Sequence, residues 1–185
     1  MHTWKNGDRY EGEWKTCLKH GQGTDVFGNG DVYIGSYKDG KPHGKGQYVW
    51  HTGASYVGDF KDGKKHGKGF WRKNRDQISN TYEGDYQDDQ KNGYGIFKWA
   101  SGNEYQGQYV ADERNGQGTM IWTDGSKYEG EWSNGIQHGF GKMVFPNGLI
   151  KEGTFKNNVY QGKQHEIQRS EPRNKTPVKI SIPSL

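Results

Sequence analysis

Tyr105-Gln-Gly-Gln-Tyr109 is followed by Val-Ala-Asp-Glu-Arg-Asn over 110–115 and by Gly116-Gln-Gly-Thr-Met-Ile-Trp122. Thr-Asp-Gly-Ser-Lys over 123–127 then leads to Tyr128, where the pattern starts again. Its opening motif, Tyr-x-Gly-x-aromatic, begins at Tyr10, Tyr33, Tyr56, Tyr82, Tyr105 and Tyr128, and a seventh copy at Lys151 keeps the Gly and the aromatic. The steps are 23, 23, 26, 23, 23 and 23 residues. Each start is followed by Gly-x-Gly, at 21/23, 44/46, 67/69, 93/95, 116/118 and 139/141. A fixed period of this length marks a linear repeat array.

Strand alternation places Tyr105, Gly107 and Tyr109 on one face, and Gly116, Gly118, Met120 and Trp122 on one face of the next segment. Asp124-Gly125 and its equivalents Asn29-Gly30, Thr52-Gly53, Ser101-Gly102 and Asn147-Gly148 read as turns, Asn-Gly and Asp-Gly being strong hairpin signals. Gly weakens a strand unless something uses the space, so the glycine columns are expected to lie beneath rings from neighbouring strands. Trp14, Tyr37, Phe60, Tyr86, Tyr109, Trp132 and Phe155, with Phe27, Trp50, Trp99, Trp122 and Phe145, are expected to form a continuous structural ladder. The opposite face is polar on the first strand (Glu11/Glu13, Glu83/Asp85, Gln106/Gln108, Glu129/Glu131). On the second strand Val26, Val49, Ile96, Ile121 and Val144 leave a thin apolar stripe. The fold class is all-β: an elongated single-layer antiparallel sheet of tandem β-hairpins, with roughly 13 or 14 strands and a length of about 60 Å.

Composition agrees. The 185 residues include 30 Gly, 7 Trp, 12 Tyr and 7 Phe, which suits short strands and tight turns better than a central globular core. Residues 1–162 are expected to form the array, six full units with terminal partial units, and 163–185 a basic Pro- and Ser-containing tail, disordered or docked on a partner. From Lys163 onward five Lys or Arg face Glu166 and Glu171, leaving the array almost neutral within a net charge of +4. That is a poor footprint for a nucleic-acid binder, and none is expected. No apolar run is long enough for a transmembrane helix. The polar opening reads as the end of a repeat rather than a secretory leader. The single Cys17 supports no disulfide framework, and a cytoplasmic setting is expected.

Tyr10-Glu-Gly-Glu-Trp14 with Gly21-Gln-Gly23, and Tyr128-Glu-Gly-Glu-Trp132 with His138-Gly-Phe-Gly141, closely resemble the MORN (membrane occupation and recognition nexus) repeat family. The resemblance runs from about residue 4 to 162 and implies antiparallel hairpin arrays. Two departures stand out. The third unit carries three additional residues within Lys73–Asn80, and the seventh replaces its leading Tyr with Lys151 and loses the second Gly of Gly-x-Gly after Gly162.

Candidate sites are few. Lys61, Lys64, Lys65, Lys68, Arg72, Lys73 and Arg75 form a basic cluster in sequence, a candidate surface for an acidic partner or anionic lipid, or a merely solvated rim. His20, His43, His66 and His138 recur at one position of different units, about 10 Å apart, too far to share a metal. The carboxylate pairs repeat with the fold and do not face each other across a cleft as glycosidase chemistry needs. No enzyme activity and no cofactor are therefore expected. Aromatic-rich wall modules that bind carbohydrate or choline are a distant alternative. In the tail, Val178, Ile180 and Ile182 alternate like a strand before Pro183, a candidate contact for another sheet edge or groove. The resemblance implies a non-enzymatic protein-binding scaffold of a cytoskeletal assembly, in a ciliary or flagellar axoneme. The alternative is a peripheral membrane or phosphoinositide adaptor with weak anionic membrane contact.

Overall fold

The structure, a computed structural model, describes residues 1–162. The tail contact expected at Val178, Ile180 and Ile182 lies outside the described residues. The strands are β1 (His2–Thr3), β2 (Arg9–Lys15), β3 (Leu18–Val26), β4 (Val32–Lys38), β5 (Lys41–Val49), β6 (Ser55–Lys61), β7 (Lys64–Arg72) and β8 (Thr81–Gln87). They continue as β9 (Gln90–Lys98), β10 (Glu104–Val110), β11 (Glu113–Ile121), β12 (Lys127–Ser133), β13 (Ile136–Val144), β14 (Ile150–Lys156) and β15 (Val159–Gly162). All belong to one sheet in chain order, antiparallel at each pairing, so the single layer inferred from alternation is what forms. Fourteen spacings make it about 67 Å long.

Two kinds of turn join the strands. Within a unit, pairs such as Thr16-Cys17, Asp62-Gly63, Ala111-Asp112 and Asn134-Gly135 both take positive φ, the type I′ geometry that matches strand twist. The Asn29-Gly30 family instead lies in the longer links between units. There the Phe27 N–H donates to the Asp31 carbonyl at 2.9 Å and the Gly30 N–H to the Phe27 carbonyl at 2.8 Å. Both margins are laced to the next unit. At the tight turns the Asp89 N–H donates to the Lys65 carbonyl at 3.0 Å, while the Lys65 N–H donates back to Asp89 Oδ1 at 2.9 Å. At the links Asp8 accepts from the Gly28 N–H at 2.7 Å and Asp31 from the His51 N–H at 2.8 Å. Burial would raise the Asp31 carboxyl, but hydrogen bonds from His51, Tyr48 and Asn29 outweigh it and hold its pKa down at about 2.

Among the described residues the core has no second layer to pack against. One glycine from each of β2 to β14 stands in direct register with the next, from Gly12↔Gly23 to Gly141↔Gly153, as a seam across the sheet. The leading tyrosine of each hairpin lies over its own pair of seam glycines. A Cβ added at Gly118 would sit 2.3 Å from Tyr105 Oη, and one at Gly107 would sit 2.5 Å from the Gly118 Cα. The Tyr105 hydroxyl crosses the seam and donates to the Gln108 carbonyl at 3.0 Å. Its neighbours close the sides: Tyr105 meets Tyr109 at 5.3 Å and Trp132 at 5.2 Å, both edge to face. This zigzag runs unbroken from Trp14 through Tyr10, Tyr37, Tyr33, Phe60, Tyr56, Tyr86, Tyr82, Tyr109, Tyr105, Trp132 and Tyr128 to Phe155, with centroids 5.0–5.3 Å apart. Such pairs add about 0.5–1.5 kcal/mol each beyond burial. The six leading tyrosines are 0% exposed.

The ladder differs from expectation in membership. Trp50 and Trp99 pack beside Tyr48 and Phe97, each at 4.6 Å, at the ends of the second strands rather than within the zigzag. Cations cap it instead: Arg114 lies 4.5 Å from the Trp132 ring centroid and Lys65 5.0 Å from that of Tyr86. Asp25 is the one carboxylate in the column otherwise held by Tyr48, Trp71, Phe97, Met120 and Met143. It is buried, bonded by Lys19 Nζ at 2.5 and 2.6 Å and by the Tyr37 hydroxyl at 2.6 Å.

Candidate protein-binding groove

Because the leading tyrosines all leave one side, the other side of the seam has a floor of bare backbone between two rows of side chains. One row pairs Ile34, Gln47, Val57, Phe70, Glu83 and Ile96 in succession across β4–β9. The second includes Lys45, Lys68 and Tyr94. Together they line a groove of 810 Å³ along the long axis. Ile34, Val57, Phe70 and Tyr94 are 40–50% exposed there. Its lysines are already satisfied, Lys45 by Asp59 and Lys68 by Asp85, each at 2.7 Å. Hollows along the same seam continue over β9–β13 past Tyr94, Gln106, Glu129 and Phe140.

The apolar stripe expected from sequence falls elsewhere. Val26, Val49, Ile121 and Val144 end their strands, whereas Ile96 stands two residues nearer the tight turn, beside the seam. Ile34, Val57 and Phe70, which make the groove apolar, were missed. Their signal was present in the alternation: each lies between two residues that face the rings, Ile34 between Tyr33 and Gly35.

The basic cluster does not gather at one place. Lys61 and Lys64 flank the tight turn at Asp62-Gly63. Lys65 lies against the Tyr56 and Tyr86 rings, where burial, opposed by Asp89 and Asp112, lowers its pKa. Lys68 faces the groove. Arg72 ends β7, about 26 Å from Lys64 by strand rise, and Lys73 and Arg75 belong to the longest link. There the Arg72 guanidinium donates to the Asp76 carbonyl.

The histidines and carboxylates are tied to the repeat. His43 Nδ1 lies 3.5 Å from Asp62, and His20 Nδ1 4.0 Å from Asp39. Among the described residues no three His, Cys, Asp or Glu side chains converge as metal ligands. One carboxylate of each pair has a backbone duty. The first Gly of each Gly-x-Gly takes a positive φ, so the ladder shifts register and frees an N–H. Glu131 accepts it from Phe140 at 3.1 Å, Asp85 from Tyr94 at 3.0 Å and Glu13 from Gln22 at 2.8 Å. Gln108 does the same for Gln117 at 2.7 Å, so charge is dispensable for this role.

The family model for the MORN repeat matches residues 10–32, 33–55, 56–74, 82–104, 105–127, 128–150 and 152–163. The chain belongs to the MORN repeat family. Between the third and fourth MORN matches, 75–81 spans most of the longest link and ends on Thr81, the first residue of β8, so the extra residues interrupt a turn and leave the MORN hairpins whole. No curated protein matches this MORN chain as a relative. Among solved structures, it is similar to the TCP domain of SAS-4 (dCPAP) from Drosophila melanogaster, in complex with a proline-rich motif of Ana2 (dSTIL). There the identity is 11% and the TM-score 0.49, over 83% of this chain and 82% of that one. It is also similar to the TCP10c domain of Drosophila melanogaster Sas-4, with 12% identity and a TM-score of 0.44 over 83% and 90% of the two chains. Neither likeness bears on what this MORN array binds.

Proposed function

We propose that this protein is a non-enzymatic scaffold of a cytoskeletal assembly, in a ciliary or flagellar axoneme, and that it holds a protein partner along the groove beside its glycine seam. The groove carries the reading: half-exposed Ile34, Val57, Phe70 and Tyr94 beside a floor of bare backbone, with its lysines already neutralised. Its two rows stand two residues apart on each strand, about 7 Å, which favours an extended segment over a helix of about 10 Å diameter. The axonemal setting is supported by family membership alone. Lys61 and Lys64 at the tight-turn margin are proposed as a secondary contact for an acidic protein surface.

The test is recovery of native partners at near-physiological salt with the full chain and with Val57→Asp/Phe70→Asp. Axonemal proteins recovered by the first and lost by the second are expected. An unchanged set of partners would remove the groove from the interface. Salt-dependent retention on anionic vesicles, lost on reversing Lys61 and Lys64, would replace the scaffold reading with the membrane one.

A further inference from the structure

We propose that residues 175–182 of this chain, Lys-Thr-Pro-Val-Lys-Ile-Ser-Ile, are themselves a ligand of the groove over β6–β9, filling it in the free protein until a partner displaces them. The proposal rests on reading the groove as an interface.

Reach permits it. From Gly162 on β15, the groove over β9 is six strand spacings away, about 29 Å, and over β6 nine spacings, about 43 Å. The fifteen residues 163–177 span up to about 50 Å when extended. Val178 can therefore arrive anywhere between them.

Size and chemistry fit as well. Extended, Val178 to Ile182 cover about 13 Å, against about 14 Å for the three spacings from Val57 on β6 to Ile96 on β9. Alternation turns Val178, Ile180 and Ile182 to one side, toward Val57, Phe70 and Ile96. Pro177 fixes the approach and favours an extended residue before it. Charge is complementary. Among the described residues Glu83, between Phe70 and Ile96 in the row, has no ion-pair partner, whereas Lys45 and Lys68 do. The segment supplies Lys175 and Lys179 and no carboxylate, so it brings net positive charge to a groove containing Glu83, while alternation turns Lys179 itself toward the second row, where Asp59 and Asp85 lie.

The full chain, with isotope-labelled Ile and Val methyl groups, is compared with Val178→Asp/Ile180→Asp by NMR. Shifts at Val57 and Ile96, unchanged on tenfold dilution, are expected. A fluorescent peptide spanning 173–185 is then titrated into both. A tethered competitor acts at an effective concentration of about 1 mM, so the variant should bind the peptide at least tenfold more tightly than the native chain. Adding Glu83→Lys to the variant should remove that gain. Identical methyl signals, or equal affinities for the peptide, would overturn the proposal. Dilution-dependent shifts would overturn it in favour of exchange between copies. If the methyl signals are identical but Val57→Asp/Phe70→Asp still loses the native partner, the scaffold reading survives without the tail.

Discussion

Gly107 and Gly63 look interchangeable in the sequence and do opposite things in the fold. Gly107 has ordinary strand φ and no room, since a Cβ would meet Gly118 Cα at 2.5 Å and Tyr105 Oη at 2.6 Å. Gly63 has nothing within 4 Å of such an atom but a φ of +87. Gly107→Ala should therefore cost about 3 kcal/mol by overpacking, and Gly63→Ala about 1 kcal/mol through backbone conformation alone. Gly63→Asn should cost less than either. Urea midpoints of the three variants check this, and equal losses would mean that the ring does not depend on the seam. The sequence made the aromatic-over-glycine rule legible because both columns share one parity. It did not separate the two glycines of Gly-x-Gly, because a residue needed for positive φ and one needed for empty space are the same letter.

Within a hairpin, stability is set by how the register shift and the turn are satisfied. Glu131→Ala leaves the Phe140 N–H without its acceptor and should cost about 1 kcal/mol. Glu131→Gln, which copies Gln108, should retain most of that stability in chemical denaturation. A similar loss for both would show that Glu131 acts through charge rather than as an acceptor. The Thr16-Cys17 turn offers the opposite experiment, since both residues sit at positive φ without being glycine. Replacing them with Asn-Gly should add about 1–2 kcal/mol, read from the melting transition. Cys17 reads from sequence as a small side chain near a turn, but the turn type is not legible because neither residue is a turn former, while the strong hairpin signals Asn-Gly and Asp-Gly stand in the longer links. The groove escaped notice for a related reason. Ile34 and Val57 occupy a first-strand column that is Glu or Gln in other units, and Phe70 a second-strand column that otherwise holds Thr24, Gln47, Ile96, Thr119 and Lys142, so no single apolar motif repeats.

Across the whole molecule the buried tyrosines couple folding to alkaline pH. Burial pushes the Tyr105 and Tyr128 hydroxyls up to about 12 and raises those of Tyr33, Tyr56 and Tyr82 as well. In the unfolded chain the same groups ionise near pH 10. Below that value the contribution to stability is complete, and it is lost as pH rises through the folded values, because the unfolded chain releases its protons first. Loss of strand signal and ionisation of these buried tyrosines should therefore coincide between about pH 10 and 12. Tyr128→Phe, with one fewer proton to release, should move the midpoint upward. Tyrosinate at Tyr105 or Tyr128, read from their own ring signals by NMR, at pH 10 with the strand signal intact would contradict the burial described.

Each ring meets only its own hairpin and the adjacent ones, and each margin is tied only to the next unit. Among the described residues there is therefore no interior whose closure depends on how many units there are. Copying or deleting one 23-residue stretch in the gene would lengthen or shorten the groove by about 9.6 Å, two strand spacings, while every remaining contact keeps its geometry. Selection could thus set the span between two docked proteins in whole hairpins, as graduations on a ruler, by recombination alone and without redesigning any side chain.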